Sequence, residues 1–119
     1  MSRARVRAYR RGLFAETLAA ALFRLKGYRV VARRYKTPAG EIDLVALKGK
    51  RLAFIEVKAR KSREAAAWTL PTRQRRRIVG AAQYWLSSRP DFAGHQMAFD
   101  VVLVAPWRLP HHIADAFQI

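Results

Sequence analysis

Residues 41–60 read "EIDLVALKGKRLAFIEVKAR", two apolar runs joined at Gly49-Lys50 and carrying charge only toward their outer ends. Each run is rich in Val, Ile, Leu and Phe, the composition of a strand. A two-residue turn with Gly first suits a type II′ hairpin and pairs Lys48 with Arg51. Counting outward, Leu47 meets Leu52, Val45 meets Phe54, Asp43 meets Glu56 and Glu41 meets Lys58. The opposite face pairs Ala46 with Ala53, Leu44 with Ile55 and Ile42 with Val57. A one-residue slip would mix polar with apolar on both faces, so the pattern selects this register.

A Glu41–Lys58 pair is what any solvated strand end could carry. Asp43 opposite Glu56 is not, because the Cβ atoms of facing residues lie ~4.5–5.5 Å apart and like charges there destabilise a sheet. Two carboxylates held together call for a shared proton or a bound cation. With oxygen ligands in reach and no cysteine in the chain, such a cation is a hard one, Mg²⁺ or Mn²⁺.

The remaining elements follow from periodicity. Residues 10–26 carry Phe14, Leu18, Ala21, Leu22 and Leu25 at helical spacing, with Gly27 closing the helix. Residues 28–35, "YRVVARRY", read as a strand and "TPAG" as a turn. Residues 61–71 read as a loop carrying Trp68 and Leu70. Thr72 caps a helix to about Ser88 with Ile78, Ala82, Trp85 and Leu86 inward. "MAFDVVLVA" is a continuous apolar strand of the kind buried on both faces, with Asp100 paired to an arginine inside it. The tail "HHIADAFQI" reads as a short helix, its two histidines on the surface. The order αβββαβ describes an α/β domain, a mixed sheet flanked by helices. Residues 1–119 form one domain, with 1–9 as a basic, mobile arm.

Twenty-four Lys and Arg stand against eight Asp and Glu, a net charge of +16, and eighteen of the basic residues are Arg. Such an excess repels itself unless a polyanion offsets it, and nucleic acid is the natural one. "RQRRR" at 73–77 places Arg73, Arg75, Arg76 and Arg77 at a helix N-terminus, where cations oppose the macrodipole. Phosphate contact is one use for them and a solvated basic turn is the other. Arg10 and Arg11, in the basic N-terminal stretch, and Arg60, just beyond Lys58, extend the set. No apolar run is long enough to span a membrane, and the basic start lacks the apolar stretch of a secretory signal. A cytoplasmic protein without a membrane partner is expected. Trp68, Trp85 and Trp107 are read as packing residues rather than base-stacking groups, Trp68 in its loop being the best exposed candidate for stacking.

Asp43, twelve intervening residues and then Glu56-Val57-Lys58 resemble the D-x(n)-E-x-K signature of restriction-endonuclease-like nucleases, at a spacing similar to that of archaeal Holliday junction resolvases. "AGEIDLVAL" with "LAFIEVKAR" looks more closely like the YraN family, UPF0102. The likeness runs from about residue 10 to 117 and takes in "LPTRQRRRIVGAAQYWL", "FDVVLV" and "HIADAF". Departures are Ala15 for a Gly, Tyr35 for an Asn and Ala98 for an Arg.

The resemblance implies a restriction-endonuclease-like αβββαβ core and a Mg²⁺-dependent endonuclease of the PD-(D/E)xK type that hydrolyses DNA, branched or structured DNA included. Asp43 and Glu56 would be metal ligands, with Glu16 completing the set, and Lys58 would orient the attacking water or offset charge on the scissile phosphate. From its place beside the pair, Glu41 is a catalytic candidate as a ligand, as an orienting group or as the partner of Lys58, with support favoured over direct ligation. RNA remains open as a substrate, as does a homodimer, since resolvase-like relatives often act in pairs. Two other classes also stay open: a nucleic-acid-binding module that keeps the fold without catalysis, and an accessory subunit whose site needs a partner.

Overall fold

The computed structural model describes residues 2–60 and 70–118, and within 7–11 the backbone alone. Helix α1 spans Arg3–Leu25, and strands β1 (Arg29–Lys36), β2 (Glu41–Lys48) and β3 (Arg51–Ala59) follow. Helix α2 (Thr72–Ser87) and a single 3-10 turn (Pro90–Phe92) lead to β4 (Gln96–Val104) and β5 (His111–Phe117). The five strands form one sheet in chain order. All neighbours are antiparallel except β3 and β4, which run parallel and therefore need the crossover that contains α2. This is the expected αβββαβ core with one strand added.

The hairpin register holds as the sequence dictates. Lys48 pairs with Arg51, Leu47 with Leu52, Ala46 with Ala53, Val45 with Phe54 and Leu44 with Ile55. Gly49 takes φ 59 at the first turn position, as type II′ requires. Val45, Leu52, Phe54, Phe99 and Val101 pack against Ile78, Ala81, Ala82 and Trp85 of α2. Leu44, Ala46, Ala53, Ile55 and Val102 pack against Ala15, Ala19, Ala20 and Phe23 of α1. The sheet thus lies between two helices, and its central strands are buried on both faces.

Four expectations need correction. Of the expected inward stripe of α1, Leu18 and Leu22 pack at the edge of the core, but Phe14 (64% exposed), Ala21 and Leu25 (87%) face out, and Ala15, Ala19, Ala20 and Phe23 are the buried residues. The three alanines let the helix axis approach the sheet, and Phe23 fills the core at the end of the stripe. The helix also begins at Arg3 rather than residue 10, with the Ser2 hydroxyl accepting the Arg5 amide at 3.2 Å; Ser is a strong N-cap and Arg and Ala are good helix formers.

The tail forms β5, not a helix. It covers the outer edge of β4 through Leu103–His111, Val102–His112 and Val101–Ile113, an edge too apolar to leave unpaired. Phe117 stacks on Phe99 at 5.0 Å. His112 is accordingly no surface residue. Its Nε2 lies 2.7 Å from Asp100 Oδ2, and Lys26 Nζ lies 2.8 Å from its Nδ1. The arginine partner of Asp100 is Arg51, which donates from both terminal nitrogens at 2.8 Å. Burial would raise the Asp100 carboxyl, but the His112 and Arg51 hydrogen bonds and the Asp115 amide hold it at about 2.

Gly40 sits where α2 crosses the start of β2. A Cβ there would lie 2.8 Å from the Arg77 carbonyl oxygen, a backbone atom that cannot turn aside. Gly40→Ala is expected to cost about 1–3 kcal/mol by overpacking, read as a lower urea midpoint with unchanged slope. The Asp100 carboxyl lies below its ordinary 3.8, so its contribution is complete above that value and lost as pH falls toward 2. The stability difference between wild type and Asp100→Asn should narrow by about 2 kcal/mol from about pH 6 to about pH 2.

Candidate metal and phosphodiester site

The site lies where the β2–β3 hairpin comes apart. The ladder ends at Leu44–Ile55. Continued by one hydrogen-bonded pair, it would give the Val57 amide to the Ile42 carbonyl. Instead Val57 donates to Asp43 Oδ2 at 2.8 Å. Across β2's other edge, Arg33 pairs with Leu44 and Tyr35 with Ile42, while Arg34 between them takes a left-handed φ of 52.

The alternation of β2 breaks at the same place. Ile42 packs with the α2-side core and Leu44 with the α1-side core, although residues two apart in a regular strand share a face. Asp43 therefore does not sit squarely against Glu56 in the ladder, as the extrapolated register implied. It lines a hollow of about 220 Å³ on the α1 side with Glu16, Glu41, Arg34, Val57 and Ala59.

Glu16 enters this hollow because the true inward stripe of α1 is the alanine stripe. Glu16 adjoins Ala15 and is 6% exposed, with Arg33 Nε at 3.2 Å and Arg34 Nε at 3.4 Å. Its charge is thus already offset by two guanidinium groups. Glu41 is exposed at the rim.

Glu56 has a different set of partners. Its Oε1 lies 3.1 Å from Gln74 Nε2 on α2 and 3.1 Å from Lys58 Nζ. The acid at ion-pair distance from Lys58 is thus Glu56, two residues back on the same strand, rather than Glu41 across the hairpin. Gln74 escaped sequence reasoning. Its only signal is that it interrupts "RQRRR" with a neutral amide.

The electrostatics still join the two halves. Asp43 is pushed up to about 7, first by burial and then by the charge of Glu56; the Val57 amide opposes this, and Glu16 and Glu41 add to it. Burial also raises Glu56, against the pull of Lys58. Each carboxylate would gain from a nearby cation. Among the described residues no three His, Asp or Glu side chains converge as a closed metal cage.

Of the basic residues, Arg73, Arg76 and Arg77 are exposed on the first turns of α2. Arg75 is half-buried, bonds Thr72 Oγ1 at 3.0 Å and leaves a buried Nε without a partner. Thr72 thus holds an arginine and does not cap; the residue before the helix is Pro71. Arg60 is half-buried and donates to the Ala59 carbonyl at 2.9 Å. The side chains of Arg10 and Arg11, and all of Trp68, lie outside the described residues. Trp85 is core, but Trp107 is fully exposed, contrary to its reading as a packing residue. It stands in the turn after β4 with φ 62, beyond the last residue that the sheet can cover.

The model of the family described as Uncharacterised protein family UPF0102 matches residues 15–104. The chain belongs to the UPF0102 family. A UPF0102 protein of Parvibaculum lavamentivorans is 60% identical over 93% of this chain and 84% of its own length. One from Rhodopseudomonas palustris strain BisB5 is 53% identical over 96% of this chain and 87% of its own. A third, from Bradyrhizobium sp. strain ORS 278, is 53% identical over 96% and 81%. The matched region contains Glu16, Asp43, Glu56, Lys58 and Gln74, while Gly12 and Leu13, which also line the hollow, lie just before it.

In metal-free protein the raised Asp43 carboxyl has a definite signature. Its folded value of about 7 exceeds the ordinary 3.8, so the folded state holds a proton that the unfolded chain releases, and stability falls as pH rises between these values. Asp43→Asn keeps an oxygen acceptor for Val57 and carries no charge. In chelator it should match wild type near about pH 4 and exceed it by more than about 1 kcal/mol near about pH 8, as read by thermal melts.

Proposed function

We propose that this chain is a Mg²⁺- or Mn²⁺-dependent DNA endonuclease of the PD-(D/E)xK type, acting in the cytoplasm. The observation that supports this reading best is the under-compensated carboxylate pair, Asp43 and Glu56, with Lys58 bound to Glu56 at 3.1 Å. The donor set suits a hard cation: carboxylate oxygens, with the half-buried Asp43 carboxyl raised to about 7, and solvent access through the hollow. Two carboxylates plus water is the usual holding pattern for Mg²⁺. Asp43 and Glu56 are the proposed ligands. Glu16, tied to two arginines, shapes the hollow, and Glu41 adds negative charge at its rim.

A cation held by Asp43 and Glu56 would supply Lewis acidity and would acidify a water for phosphodiester hydrolysis. The protein's own groups provide the rest. Gln74 fixes the Glu56 carboxylate from α2. Lys58 places a cation beside it, where charge on a scissile phosphate would develop. Arg73, Arg76 and Arg77 offer phosphate contacts along α2, in keeping with the net charge of +16.

The test is cleavage of duplex, single-stranded and junction DNA with and without Mg²⁺ or Mn²⁺. Wild type should cut only with metal. Asp43→Ala and Glu56→Ala should abolish cleavage, and Lys58→Ala should slow it by about 10²-fold or more. Wild-type activity no greater than that of Glu56→Ala would remove the nuclease reading. Salt-sensitive binding that survives Glu56→Ala without turnover would place the chain among non-catalytic nucleic-acid-binding modules.

A further inference from the structure

The turn between β4 and β5 contains "PWRL", residues 106–109, in which Trp107 is fully exposed and Leu109 nine-tenths exposed. Trp107 also has φ 62, a backbone region that suits Gly or Asn and strains a bulky aromatic. This residue therefore opposes stability twice, by strain and by presenting a large apolar surface to water. Packing does not explain it, because the ring is not buried. Such an outlier points toward use.

Its position in the fold says what that use is. β3 and β4 run parallel, with Lys58 beside Leu103 and Ala59 beside Val104. The Arg60 amide continues the pairing to the Val104 carbonyl at 2.8 Å. The turn bearing Trp107 thus emerges from the same end of the sheet as Glu56 and Lys58. Lys58's neighbour Leu103 is four residues before Trp107, at most ~13–14 Å of extended chain. Arg108 follows the ring directly and is exposed. A partner for this tip must offer flat apolar faces and negative charge together, and a single-stranded nucleic acid segment offers both.

We infer that Trp107 is a base-stacking residue that selects nucleic acid with an unpaired base near the phosphodiester to be cut. Arg108 contacts the adjoining phosphate and Leu109 extends the apolar platform. In paired duplex each base face is already stacked, so the ring gains little there. The inference deepens the nuclease reading by naming its substrate class, and it rests on that reading only for the cutting step.

Binding without metal separates the two. Full-length wild type, Trp107→Ala and Trp107→Phe are compared by fluorescence anisotropy in chelator, with a labelled blunt duplex, the same duplex carrying a single-stranded flap, and a single strand. Trp107→Ala should weaken flap and single-strand binding about tenfold and leave duplex binding within about twofold. Trp107→Phe should retain most of the affinity. Equal losses on all three ligands, or none, would overturn the inference. So would a change in sedimentation showing that Trp107→Ala disrupts a homodimer. A selective loss in a protein that never cleaves would support stacking while removing the nuclease reading.

Discussion

The hydrogen bond from the Val57 amide to the Asp43 carboxylate holds the site and the sheet together. At that point β2 and β3 stop pairing through backbone and begin pairing through a side chain. A conventional ladder would have kept Asp43 on the α2 side, directly against Glu56. The exchange turns it toward α1 and Glu16, while its oxygen still satisfies an amide that would otherwise be left without a partner. Fold and site are therefore not separable here, since the residue proposed to hold a cation also ends the hairpin.

Both helices respond to this break. α1 comes close because its inner face is alanine, which brings Glu16 down to the hollow with Arg33 and Arg34 around it. α2 comes close because Gly40 and Gly80 leave room, a Cβ on Gly80 meeting that of Ala39 at 3.0 Å. That approach delivers Gln74 to Glu56. Small residues at both contacts set the depth of the site, and the acids occupy the gap that remains.

Much of this was legible in the sequence. The register from Lys48–Arg51 to Leu44–Ile55 followed from one Gly and the apolar alternation, because a slip would have exposed the core on both faces. The cluster of acids in a strongly basic chain marked the candidate site. The local departure at Asp43 was not legible, for it depends on Arg34 in a neighbouring strand and on a side chain replacing a carbonyl. Glu16 entered only through the family resemblance, because a stripe through Phe14, Leu18 and Leu25 puts it on the far side of the helix, whereas close helix–sheet packing favours the alanines beside it. His112 and β5 were misread because a short tail of mixed character takes its conformation from the edge that it covers.

β3 carries at its start Arg51, whose guanidinium must meet the buried Asp100, and five residues later Glu56, which must meet Gln74. The two requirements sit on opposite ends of one strand. Shifting β3 by a single residue against its neighbours would leave Asp100 buried without its counter-ion and turn Glu56 away from its support in the same step. A chain folded with the wrong register is thus destabilised before it can bring Glu56 and Gln74 together wrongly. The ion pair acts as a proofreading device for the site at the far end of the strand.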